Sequence, residues 1–158
     1  MAEALANSPL PPHIEIMTMH DWCERVMAIS GRIIPLLPGT MNGPTQDCLR
    51  QLTYRHFGRL TSGQRSALDG RDGRFVHEEI SAVIKQSNLT IREDYLEIDR
   101  GWRGGILGAT ARHAIWSVWE MVRTELSDRG IADWDDLPRL ALVSVTSSPN
   151  PVGLYQEI

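Results

Sequence analysis

The stretch GILGATARHAIWSVWEMVRTELSDRG, residues 105–130, carries the longest regular pattern in the chain. Leu107, Ala111, Ile115, Val118, Val122 and Leu126 recur every three or four residues, the spacing that lines one face of an α-helix. Gly130 follows Arg129 where a helix end needs a residue that tolerates a left-handed turn. The pattern predicts a helix from about 105 to 129. An apolar stripe of that length must be covered, and the segments on either side supply helical stripes of their own.

Toward the N-terminus, Val76, Ile80, Val83 and Ile84 predict a helix from Phe75 to Gln86, and Leu49, Leu52, His56 and Leu60 predict another from Thr45 to Leu60. LTSGQRSAL, residues 60–68, adds a short helical turn between them. Thr18 and Asp21 have the spacing of a capping box, opening a helix whose stripe is Met19, Trp22, Cys23, Val26 and Ile29, with Gly31 as its stop. Residues 89–98 fit either a helix, with Thr90 and Glu93 as a capping box, or a short strand. Toward the C-terminus, Asp133 caps a short helix, WDDL, stopped by Pro138, and LALVSVT reads as a strand or a buried segment. The fold class is therefore mostly α: a single-domain bundle of about five helices spanning 15–148. Residues 1–14 form a proline-bearing N-terminal arm and 149–158 an extended C-terminal tail.

At 158 residues and 42% apolar composition, the chain is long and hydrophobic enough for one cored domain. Its start lacks the basic and apolar regions of a secretory signal, and no apolar run approaches the ~20 residues of a bilayer span. These features predict a cytoplasmic or otherwise intracellular protein, or a virion component, with no membrane partner. Cys23 and Cys48 are too few for a disulfide framework and predict a reduced, buried pair. Fifteen of the sixteen basic residues are arginine, leaving Lys85 as the single lysine.

Three local patterns carry possible chemistry. LDGRDGRFVHEE, residues 68–79, resembles half of a calcium loop, with Asp72, Phe75 and Glu79 in place when Gly73 is the sixth position. Leu68 and Gly70 then occupy oxygen positions, and sliding the register puts Arg71 and Gly73 there instead, so the stretch predicts a double Asp-Gly turn between helices and no metal. RGWRGGILG, residues 100–108, places Arg100, Arg103, Gly104 and Gly105 at the start of the long helix. Guanidinium forks and backbone N–H groups there suit an anion. Its glycine spacing is not that of a dinucleotide fingerprint, and close helix packing explains it equally well. Arg50, Arg55, Arg59, Arg65, Arg71 and Arg74 form an arginine-rich strip facing only three aspartates between 46 and 75, a candidate nucleic-acid surface on a chain of net charge −4.

No nucleophile elbow, zinc-protease motif or cysteine–histidine ligand spacing occurs, which points to a non-enzymatic protein without cofactor. Trp102, Trp116, Trp119 and Trp134 are candidate interface anchors, because tryptophan joins a large apolar area to one donor. The leading expectation is a protein-interaction or self-assembly module, binding protein partners or itself as a homo-oligomer; arms on a compact helical body suit viral or phage coat and assembly proteins. Nucleic-acid binding through the arginine strip is the first alternative. An anion- or nucleotide-binding protein or small enzyme using the 100–108 region is the second.

Overall fold

The computed structural model describes residues 16–31, 44–100 and 107–147, with the side chains of 44–47 outside that set. The proposed arm, the proposed tail, Trp102, Arg103, Gly104 and Gly105 therefore lie outside the described residues. The chain is mostly helical, with no strand among the described residues. Helix α1 spans Met19–Ile29, α2 Pro44–Phe57, α3 Ser62–Ala67, α4 Gly73–Glu79, α5 Arg92–Glu97, α6 Ala109–Asp128 and α7 Leu137–Ser147. A π-helical stretch, Ile80–Lys85, continues α4, and a 3₁₀ turn, Trp134–Asp136, leads into α7.

Helix α6 is the hub, packed against α2, α3, α4 and α5. All six residues of its predicted stripe are buried, and so are Ala114, Trp116 and Trp119. A helix apolar over most of its circumference belongs inside a bundle. Leu49, Leu52, Leu60, Leu68, Val76, Ile80, Ile84 and Tyr95 close around it in one continuous apolar cluster. Helix α6 begins at Ala109, with Gly108 as its cap, four residues later than the glycine-rich stretch suggested.

The calcium-like stretch is a turn and a helix start. Asp69 and Gly70 adopt positive φ, and Asp72 caps α4 by accepting a hydrogen bond from the Phe75 N–H at 3.0 Å. Gly73 fits where little else does, because a Cβ there would stand 2.9 Å from the Tyr54 ring on α2. Glu79 ends α4 and is fully buried.

Four further expectations need correction. Thr90 and Glu93 do not cap α5; its N-cap is Ile91, with no side-chain bond. Pro138 does not stop a helix but occupies the first turn of α7, where a missing N–H costs nothing. LALVSVT is the body of α7, since a helix begun at Leu137 buries Leu137, Ala141 and Ser144 on one face. In α1 the capping box is present as expected, but Met19 and Ile29 of the predicted stripe are 64% and 58% exposed.

Helices α1 and α7 form a second unit. They pack chiefly on each other, around a small cluster of Cys23, Val26, Met27, Leu137 and Ala141 that is separate from the α6 core. Cys23 belongs to this cluster and Cys48 packs on the larger one half-buried, so the two free thiols do not form a pair. Burial raises the Cys23 thiol above its ordinary pKa and keeps it protonated.

Candidate protein-interaction surface

Helix α7 has the sequence LPRLALVSVTS. Successive residues advance about 100° around a helix, so Leu137, Leu140, Ala141, Leu142, Val143 and Val145 fall on every side of it. One side, Leu137, Ala141 and Ser144, is buried against α1. The other holds Leu142 and Val143, 58% and 38% exposed. Among the described residues, seven large hydrophobic side chains are exposed, and five of them lie on or beside this helix pair: Ile16, Met19, Ile29, Leu142 and Val143. Single exposed apolar residues are ordinary; their concentration on one two-helix unit is not. The solvent side of α1 adds Asp21 and Glu24, and that of α7 adds Arg139. The Asp21 carboxyl sits below its usual pKa because the Thr18 hydroxyl and N–H bond it, so it stays ionised.

Two of the candidate tryptophans are core residues, and Trp102 lies outside the described residues. Trp116 and Trp119 are 1% and 6% exposed, inside the α6 core, with Trp116 stacked on Tyr95 at a centroid distance of 5.8 Å. Trp134 is half-buried and meets His20 of α1 at 5.2 Å, tying the α1–α7 unit to the turn before α7. The wide contact surface of α6 covers both Trp116 and Trp119.

The anion-site expectation changes at Arg100. Its fork faces the fully buried Glu79, with Nε donating to Oε1 at 2.7 Å and Nη2 to Oε2 at 2.8 Å. The Tyr95 hydroxyl adds a donor to the same carboxylate at 3.3 Å. An internal carboxylate thus occupies the Arg100 fork, while Arg103, Gly104 and Gly105 lie outside the described residues. The hydrogen bond that Arg100 donates to Glu79 raises the Arg100 pKa, and burial pushes the Tyr95 phenol far above its ordinary value. Arg112 has an equally internal task, donating to the carbonyls of Tyr95, Leu96 and Ile98 at 2.8–3.0 Å and closing the C-terminus of α5. Sequence marked Glu79 only as a position of the calcium-like stretch and did not mark Arg112, because Arg100, Tyr95, Leu96 and Ile98 lie 14 or more residues from the side chain each one meets.

Five of the six arginines of the strip, Arg50, Arg55, Arg59, Arg65 and Arg74, are exposed, and each member also makes a local contact. Arg55 pairs with Glu125 at 2.9 Å, Arg65 donates to the carbonyls of Leu60 and Gly58, and Arg71 donates to Leu68 and lies over the Phe75 ring. Arg74 pairs with Glu78 one turn on, Arg59 approaches His56, and Arg50 also has an electrostatic partner. Buried His56 reaches Glu125 through Nε2 at 2.7 Å, and Arg129 pairs with the same carboxylate. These guanidinium groups fix turns and helix contacts from the surface of the fold.

Among the described residues no cluster of three or more metal-type side chains occurs, and no helix is long and apolar enough to cross a membrane. No protein-family model, curated protein or solved structure matches the chain.

Proposed function

We propose that this protein is a helical self-assembly module whose α1–α7 pair docks against the same pair of a second copy. The observation that carries this reading is the all-round apolar character of α7, a helix of the kind normally covered on every side, with Leu142 and Val143 left open. Two such pairs meeting about a two-fold axis make a four-helix bundle, and an isologous contact needs only one self-complementary patch. The small α1–α7 cluster gains the burial it lacks, and Met19 and Ile29 rejoin an apolar interior as their periodicity requires.

Hydrogen–deuterium exchange at several protein concentrations tests this reading. Amides of Met19–Ile29 and Leu137–Ser147 are expected to exchange more slowly as concentration rises, while those of α2 and α5 stay unchanged. Exchange independent of concentration throughout the chain contradicts it.

A further inference from the structure

Where the C-terminal ends of α2 and α6 adjoin, arginines gather around a single carboxylate. Arg55 of α2 and Arg129, the C-cap of α6, both donate to Glu125 Oε1, Arg55 at 2.9 Å. Sharing one oxygen holds the two guanidinium groups side by side. Buried His56 reaches the other oxygen, Oε2, through Nε2 at 2.7 Å. A carboxylate accepts, so Nε2 carries a proton, and the Nδ1 that Arg59 Nη1 meets at 3.5 Å is the acceptor of the ring. Burial opposes the charge on Glu125, but the His56 bond and the Arg129 and Arg55 charges outweigh it and keep the carboxyl ionised.

The cations outnumber that carboxylate. Arg65, brought in by α3, donates to the carbonyls of Leu60 and Gly58 at 3.1 Å each, just past the end of α2, and these bonds leave its charge unmatched. Asp128, exposed nearby on α6, forms no hydrogen bond or ion pair with any of the four arginines among the described residues. The two helix ends contribute about half a negative charge each, so roughly two of the four positive charges stay uncompensated. The Arg55 and Arg129 side chains are 51% and 50% exposed, and Arg59 and Arg65 are exposed as well. Each guanidinium carries five N–H donors, and Glu125 takes one from Arg55 and one from Arg129. Spare donors and surplus charge therefore meet at the surface on a platform fixed from beneath.

We propose that this arginine cluster binds a phosphate group, held by Arg55, Arg129 and Arg59 above Glu125 and His56. Several forks around one point suit a dianion with tetrahedrally placed oxygens, whereas a single carboxylate fills one fork. A free phosphate ester and the backbone of a nucleic-acid strand offer the same oxygens, and the experiment separates them. The site lies on the α6 core and is independent of the α1–α7 docking face.

Inorganic phosphate, acetate and a short single-stranded oligothymidylate without terminal phosphate are titrated separately into the full chain by calorimetry at low salt. Phosphate is expected to bind at least about tenfold more tightly than acetate, the difference made by one further hydrogen bond between charged groups. Arg55→Gln and Arg129→Gln should each weaken phosphate about tenfold. Arg59→Gln, which leaves both Glu125 ion pairs intact, should weaken it likewise with the melting temperature unchanged. Arg92→Gln removes an exposed arginine paired with Glu120 and should leave the affinity as it is. An oligothymidylate that binds more tightly than phosphate, and is weakened by the same variants, assigns the site to a strand backbone. Phosphate binding without oligothymidylate binding assigns it to a free phosphate ester. Absence of binding by both at millimolar concentration overturns the proposal. So does acetate that binds as well as phosphate, an affinity indifferent to Arg59→Gln, or an Arg92→Gln that weakens binding as much as Arg55→Gln does.

Discussion

Glu79 is the side chain on which most depends locally. It is fully buried and ionic, and such a group is tolerable only while its partners stay in place. Removing one member of a buried pair typically costs about 3–5 kcal/mol, because the other charge is left unmatched. Arg100→Ala is therefore expected to lower unfolding free energy by about 3 kcal/mol in urea titration, and Glu79→Leu with Arg100→Met to recover much of it; a loss within about 0.5 kcal/mol for the single change contradicts this role. His77 works through protonation. Burial first, and Arg50 second, lower its pKa from 6.5, and its Nδ1 is buried without a partner among the described residues. A lowered pKa means that the fold prefers neutral imidazole. Its stability contribution is present above about pH 6.5 and is lost as pH falls through the folded value. Asp136, raised by burial, acts in the opposite sense, so the informative quantity is a difference between proteins. The melting temperature of His77→Asn should fall less than that of the wild type between about pH 7.5 and about pH 5.5. Equal slopes would remove His77 from the explanation.

At the scale of elements, Asp72 decides where α4 starts. Asp72→Ala should cost about 1 kcal/mol in chemical denaturation, while Asp72→Asn, which keeps the acceptor, should cost little. The helices with strong stripes were readable in advance: α6 from Leu107 to Leu126, the buried face of α2, and Val76 to Ile84. Periodicity is set by burial, and these faces meet one core. Other elements were less legible. The π-helical stretch shifts the ladder to i→i+5 bonds, visible in Leu89 N–H to Ile84 C=O at 2.9 Å, and turns Lys85 inward onto Asp133 and Trp119. A change of helix pitch leaves no trace in composition. The β-branched run in LALVSVT suggested a strand, yet α7 forms because α1 offers it a helical groove and Pro138 a first turn. The candidate sites were less legible still. The pairings of Arg55 with Glu125 and of Glu79 with Arg100 depend on neighbours distant in sequence.

At the scale of the whole molecule, the chain has a main core gathered around α6 and a lesser one between α1 and α7. Among the described residues, eighteen buried side chains close the larger, and the lesser has five and an apolar outer side. Self-association resolves that imbalance. The most direct test is light scattering coupled to size exclusion, over a range of protein concentrations, for the wild type and for Leu142→Glu with Val143→Lys. The wild type should approach twice the 17.8 kDa chain mass as concentration rises, and the double variant should stay at the single-chain mass with its helical content retained. A wild type that remains at the single-chain mass at every concentration, or a variant that associates as the wild type does, contradicts assembly through α1 and α7.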